Sequence, residues 1–395
     1  MSQTREPPIL RHRNNHIPDD IVLNILAKLP VKSILRFRCV CKSWYSSITT
    51  PNFISTHTQF VNNNKDHAFI VHIPWDTRNM DACTVSLDRT FDRISGFGIP
   101  HDFPSDTECA IAGSCNGILC IADCGRISTD VIYLWNPSIR KFKRLPSSCL
   151  GKTGNLVYVT IGFAYHSQNN DYKVVRISCS FLSSIYPPVP QIEVYTLSTD
   201  SWRRVGISLR INNVMFNHNN LNLPIPLVSG ALHWMACIIE ENRKRGKEII
   251  VSFDVNTEKF GELALPLCSR TAHSYQKCLA LFKGKLAFIT FGGSERRGFQ
   301  NSYSVWVMRE YGVIESWNKL FVVPLEGFVI CFAFTQYGSL LLRRAINLVN
   351  HEFKLVLVDT ATQHEKDLEI QDPNSCVATF MESLALLDGA NMISY

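Results

Sequence analysis

The chain has 395 residues, 46% of them hydrophobic and 19% charged, and a formal net charge of +6. That balance excludes a disordered or fibrous protein, and the length is enough for more than one small domain. The positive charge is spread too thinly for a nucleic-acid binder, which concentrates Lys and Arg on one element.

Residues 1–15 are polar, with Arg5, Arg11 and Arg13 and no apolar h-region, so they read as a disordered tail and not as a secretion signal. Pro18 followed by Asp19 and Asp20 is a helix opening, because proline fits the first turn and carboxylates favour the positive end of the dipole. Ile21, Val22, Ile25, Leu26 and Leu29 then recur at helical spacing until Pro30. A second run, Phe37, Val40, Cys41, Trp44 and Ile48, predicts another helix stopped near Pro51. Two or three short helices within about 40 residues bury little apolar surface alone. Either their apolar faces receive a partner, each buried Leu, Ile or Trp then contributing roughly 1.5 to 3 kcal/mol, or they cap the domain that follows. Periodicity leaves both readings open.

From about Phe60 the apolar pattern changes period. Ala68–Ile73, Gly117–Ala122, Val131–Trp135, Lys173–Ser178, Ile192–Leu197 and Ile249–Val255 are short β-branched or aromatic runs bounded by Gly, Pro, Asn and Asp. Five segments share a strand, a polar turn and a second strand: YLWNPSIRKFKRLP from Tyr133, EVYTLSTDSWRRV from Glu193, VSFDVNTEKFGELALP from Val251, SVWVMREYGVIESWNKLF from Ser304 and LVLVDTATQHEKDLEI from Leu355. A weaker sixth lies at Cys83–Ile94. Matching positions recur at roughly 48 to 60 residues, the length of kelch-like propeller blades. GSCNGILCIA from Gly113, VSGALHWMA from Val228 and LFKGKLAFIT from Leu281 each set a glycine before an inner-strand-like run. The expectation is a mainly β chain forming a propeller of about six blades, its ring closed by Cys376–Leu387. The most apolar window, Phe328–Leu342, is too short to span a bilayer as a helix.

The residues also carry two resemblances. IPDDIVLNILAKLPVKSILRFRCVCKSWYSSI, Ile17–Ile48, is similar to the F-box in order and spacing, with Ile17 where leucine is commoner. This implies a unit that docks on a Skp-type adaptor, which in turn binds a cullin scaffold carrying a RING protein and a charged conjugating enzyme. Carried over by position, Ile17, Pro18, Ile21, Leu26, Leu29 and Pro30 form the adaptor-facing surface, with Leu35, Val40 and Trp44 packing nearby. The segments from Gly113 to Phe321, together with IGFAYHSQNNDYKVVRI from Ile161, resemble the F-box associated domain of plant F-box proteins, often labelled F-box/kelch-repeat and including the S-locus group. Ala164 and His166 depart from its usual form, a change expected to affect a turn and not the fold, and the kelch double glycine is largely absent. The implied organisation is a tail at 1–15, an all-α F-box domain at 16–56 and an F-box associated β-propeller-like domain at 60–390.

Other chemistry finds no support in spacing. Cys109, Cys115, Cys120 and Cys124 lack the paired knuckles of structural zinc sites, and alternation makes Cys120 a core residue. No nucleophile elbow, Walker loop, dinucleotide fingerprint or zincin motif is present, and His166, His233 and His273 have no partner that spacing identifies. No cofactor or metal is therefore expected. The basic run Asn242–Glu248, with Arg243, Lys244 and Arg245, reads first as a solvated loop and alternatively as a site for an acidic or phosphorylated target, as do Arg296 and Arg297. Fourteen cysteines fit reduced core thiols of a cytoplasmic or nuclear protein. The resulting expectation is a non-catalytic substrate receptor of a Skp-cullin-F-box ubiquitin ligase, holding an unidentified target protein on its propeller and binding neither nucleic acid nor membrane. The rivals are an F-box protein in a non-degradative assembly and a propeller enzyme with catalytic groups at the ring centre.

Overall fold

A computed structural model describes residues 17–63, 68–74, 83–87, 93–97, 109–123, 131–150, 157–180, 189–207, 214–217, 220, 223–239, 246–266, 276–293, 301–325, 329–347, 352–371, 375–386 and 393–394. Four helices come first: α1 (Asp19–Leu26), α2 (Val31–Arg38), α3 (Lys42–Ile48) and α4 (Pro51–Asn63). The second apolar run is therefore not one helix. It breaks at Cys41, whose backbone is extended and whose thiol accepts the Trp44 N–H at the start of α3. Pro51 opens α4 as well as following α3, as a first-turn proline can.

Six β-sheets follow, and each is one blade. The first holds β1 (Ala68–Pro74), β2 (Cys83–Leu87) and β3 (Arg93–Phe97), and the second β4 (Cys109–Cys115), β5 (Ile118–Asp123), β6 (Ile132–Asn136) and β7 (Lys141–Arg144). The third comprises β8 (Val157–His166), β9 (Asp171–Ser180), β10 (Gln191–Thr196) and β11 (Ser201–Val205). The fourth has β12 (Val214–Phe216), the short β13 (Leu227–Val228), β14 (Ala231–Ile238), β15 (Lys247–Asp254) and β16 (Phe260–Leu263). The last two are β17 (Gln276–Phe282) to β20 (Trp317–Leu325) through β18 (Lys285–Gly293) and β19 (Asn301–Met308), and β21 (Val329–Phe334) to β24 (Glu365–Gln371) through β22 (Leu340–Asn347) and β23 (Glu352–Val358). The ring closes with β25 (Ser375–Met381), which pairs antiparallel with β1 as the innermost strand of the first blade. The brief β26 (Ile393–Ser394) adds to the outer edge of β7.

Blade stacking explains why so many strands read as continuous apolar runs and not as alternating ones. Along β5, Ile118, Cys120 and Ala122 join the core shared with the third blade, while Leu119 and Ile121 join the core shared with the first. Ile132 and Leu134 against Tyr133 and Trp135 divide in the same way along β6. Alternate side chains thus feed different junctions, and both are dry. The described core residues form one such cluster at every junction around the ring.

The repeats have a common turn chemistry. Arg140, Asp200, Glu258 and Gln363, each four or five residues past the end of the third strand in the turn to the fourth, all have positive φ, at 52°, 47°, 55° and 58°. Asn116-Gly117, Ser229-Gly230 and Lys283-Gly284 are two-residue turns with positive φ at both positions. The strands after these glycines are the second of each blade, not the innermost as their sequence suggests. Neighbouring blades are also joined by polar staples: Lys143 pairs with Asp200 at 2.9 Å, Lys173 with Glu258 at 2.8 Å, and the Trp317 indole N–H donates to the Ala264 carbonyl at 2.9 Å.

Near the axis, Asn220 both accepts from and donates to the backbone of Leu279 in the fifth blade, while the Ile225 N–H donates to the Ala112 carbonyl in the second. Second and fifth blades stand opposite one another in a ring of six, so this stretch ties the fourth blade to both sides of the axis. Leu223 and Ile225 are buried, at 6% and 8% exposure, although the connection Ile211–Pro226 reads in sequence as a variable surface loop.

Candidate functional site

Burial sorts the nine residues that the F-box resemblance assigns to adaptor docking. Ile17, Pro18, Ile21, Pro30 and Val40 are exposed, with Ile17 at 56%, Ile21 at 48% and Val40 at 63%. Leu29, Leu35 and Trp44 are half-buried and pack against the helical core. Leu26 is different: at 3% exposure it lies inside that core with Ala27, Val31, Ile34, Ile48 and Phe53, because its side of α1 turns towards the other helices. It supports the surface from beneath and is not part of it.

Two further apolar side chains stand in the open, Ile25 at 53% and Tyr45 at 52%. Ile25 follows Ile21 by four residues, so the two share a helical face, and this spacing is the signal that identifies it. Tyr45 lies under the Arg38 guanidinium, 4.1 Å from its ring centroid. From inside, buried His57 approaches the Leu29 carbonyl with Nε2 at 3.3 Å and so pins the turn that presents Pro30. Burial holds its pKa below the ordinary value of 6.5, an effect partly opposed by that carbonyl.

The other side of the helical unit is covered by the propeller. Leu384, fully buried just after the ring-closing strand, belongs to the helical core, and Ile139 packs against the same cluster. The Val31 N–H, which has no partner within its helix at the start of α2, donates to Glu382 Oε2 at 3.1 Å. The second blade supports this segment with two of its turns. Buried Asn136 donates through Nδ2 to the carbonyls of Ser383 and Ala385 at 2.9 and 2.8 Å. Gly117 lies so close that a Cβ would come within 2.3 Å of Ser383 Cβ and 2.5 Å of the Met381 carbonyl, and its φ of +76° independently demands glycine. The sequence motifs CNG and WNPSI thus form a cradle for residues 381–385, on which the helices sit.

All these contacts lie on the face where first joins second and third joins fourth strand in each blade. Arg243, Lys244, Arg245, Arg296 and Arg297 lie outside the described residues. The strands flanking them, β14 to β15 and β18 to β19, end and begin on the opposite face. Cys120 is a buried strand residue, and no group of three or more His, Cys, Asp or Glu among the described residues is arranged to hold a metal. His233 is buried, with Nε2 2.9 Å from the Tyr311 hydroxyl and Nδ1 3.3 Å from the Pro226 carbonyl. His166 is buried with neither ring nitrogen hydrogen-bonded among the described residues, and burial lowers its pKa, with Lys173 adding to the effect.

Comparison with known proteins agrees with this layout. Residues 15–56 match the F-box domain and residues 72–383 the F-box associated beta propeller domain. Similar proteins from Arabidopsis thaliana include F-box protein CPR1, 28% identical over 94% of this chain and 89% of its own length. F-box/kelch-repeat protein At3g23880 is 26% identical over 78% of this chain and 80% of its own. F-box protein At3g07870 is 30% identical over 77% of this chain and 71% of its own. With a helical unit that carries the F-box pattern, mounted on a six-bladed ring that matches along most of the sequence, this chain belongs to the family of F-box proteins with an F-box associated β-propeller domain.

Proposed function

We propose that this protein is the substrate-recognition subunit of a Skp-cullin-F-box ubiquitin ligase. The helical unit binds the Skp-type adaptor and, through it, the cullin and RING subunits. The propeller holds a target protein for ubiquitination and degradation. The observation that carries this reading is the row Ile17, Ile21 and Ile25, open to solvent on a unit whose opposite side is already sealed against the propeller. A partner that covers such a row gains roughly 1.5 to 3 kcal/mol for each isoleucine fully buried. The receptor itself contributes no chemistry; it raises the effective concentration of target lysines near the charged conjugating enzyme. Free thiols at Cys179 and Cys376 in the core support a cytoplasmic or nuclear setting.

The test is adaptor capture by the full chain and by an Ile21→Asp, Val40→Asp variant. Both positions are exposed, so the variant should fold and melt as the parent does while losing adaptor binding about 100-fold or more. Undiminished adaptor capture by the folded variant would overturn the reading. Target half-life in cells with and without the protein separates degradation from a non-degradative assembly.

A further inference from the structure

The residues that attach the helical unit to the propeller are the same ones that finish the ring. Strand β25 closes the first blade by pairing with β1 from Ala68↔Met381 to Pro74↔Ser375. The next residue, Glu382, caps α2 through the Val31 N–H, and Leu384 two positions later is fully buried among α1, α2, α3 and α4 residues. Ser383 and Ala385, alternating with them, turn the other way: their carbonyls accept from Asn136, the Ser383 N–H donates to Ser138 Oγ at 3.4 Å, and the Ala385 N–H donates to Ser383 Oγ at 2.9 Å. One short segment therefore has a helical-unit side, anchored by Glu382 and Leu384, and a propeller side, anchored by hydrogen bonds. A simple tether would need neither a buried leucine nor a carboxylate placed on a helix end.

We infer that Glu382 and Leu384 are positioning residues, which fix the helical unit on the second blade at one set orientation to the opposite face of the propeller. Three attachments act together. Strand β1, which follows α4 in the sequence, begins on this face, Ile139 packs against α2 from the second-blade turn, and Glu382 with Leu384 grips α1 to α4 from the closing segment. Attachments at separate points remove the hinge that a single linker would leave. The importance of the fixed angle rests on the ligase reading, in which a target lysine must meet the conjugating enzyme; the clamp itself does not depend on that reading. Gly117 and Asn136 acquire a reason beyond turn geometry, since any side chain at the first or loss of the amide at the second dislodges the segment that carries both anchors.

The experiment measures distances within the full chain. Spin labels are introduced through unnatural amino acids at exposed Asn52 on α4 and exposed Glu262 on β16. Double electron-electron resonance then compares the parent, Leu384→Met, Glu382→Ala and the double variant Glu382→Ala, Leu384→Ser. The parent and Leu384→Met should give one narrow distance distribution, and the double variant one about twofold or more broader, with Glu382→Ala between them. Adaptor affinity of the same unlabelled variants should stay within about twofold, because neither residue lies on the exposed isoleucine row. A broad distribution in the parent overturns the inference, and so does a parent-like width in a double variant whose far-ultraviolet dichroism is unchanged. Should the double variant fail to fold, the parent and Glu382→Ala distributions decide. A parent that shows the narrow distribution but binds no adaptor overturns the ligase reading and leaves the clamp standing.

Discussion

The helical unit and the propeller use isoleucine, leucine and valine in opposite ways. In the propeller, strands such as β5 and β6 bury consecutive residues on both sides, and Ile118 to Ile121 have no exposed surface. In α1, eight residues long, only Leu26 is buried while Ile21 and Ile25 remain open. A closed ring gives every blade two dry neighbours, whereas a few short helices placed on one patch have a dry side and a wet side. An apolar residue on the wet side is a cost to the isolated protein, and the proposed docking of an adaptor would account for a row of them.

That contrast breaks most sharply in the core. Trp234, 1% exposed and donating through its indole N–H to Thr160 Oγ1 at 3.1 Å, links the third and fourth blades. Trp234→Ala should cost about 3 to 5 kcal/mol in urea denaturation. Because the ring closes on itself, the loss should shift the whole propeller transition and not detach one blade.

Acid should sharpen it next. Burial holds the pKa of His233 down to about 4, opposed by the carbonyls of Pro226 and Ala231, against an ordinary 6.5. Below pH 6.5 the unfolded chain takes up this proton first, so the stability contributed is complete above 6.5 and is lost as pH falls towards 4. By pH 5 the loss should be about 2 kcal/mol, and a folded His233→Gln variant should show a correspondingly shallower decline between pH 7.5 and 5. An equal decline in both proteins would mean that His233 is not held neutral.

The smallest effect belongs to the helical surface. Ile25→Ala should change thermal or urea stability by less than about 0.5 kcal/mol, since the side chain is 53% exposed. A larger loss would show that the propeller or the tail covers this row, and the two regions would then differ less than their burial indicates.

Much of this organisation is legible in the order of the residues. The repeat of Asn136, Asp254 and Asp359 at the heads of matching turns locates blades, since the carboxylate or amide oxygen of each accepts backbone N–H groups one turn on. The helices are legible as apolar spacing but their boundaries are not: the break at Cys41 depends on a thiol accepting one backbone N–H, and cysteine carries little capping signal. Helix α4 leaves no clear signal because PNFISTHTQFVNN is rich in polar and β-branched residues, which favour other states in isolation, and it is held by burial of Phe53, His57 and Val61. Of the residues that the F-box pattern assigns to docking, Leu26 reads as a surface position and is a core one, because spacing shows which residues share a face, not which face is covered.

Sequence alone is enough for the two classes of local structure, the repeat, and the family pattern of the first helices, all of which depend on residues near one another in the chain. Only the folded ring establishes which side of the helices is dry, that Leu223 and Ile225 lie inside, and that Glu382 meets Val31 across 351 positions. Those outcomes depend on which surfaces closure of the ring brings together, and hydrophobic burial, being non-directional, leaves no record of its partner in the residue that is buried.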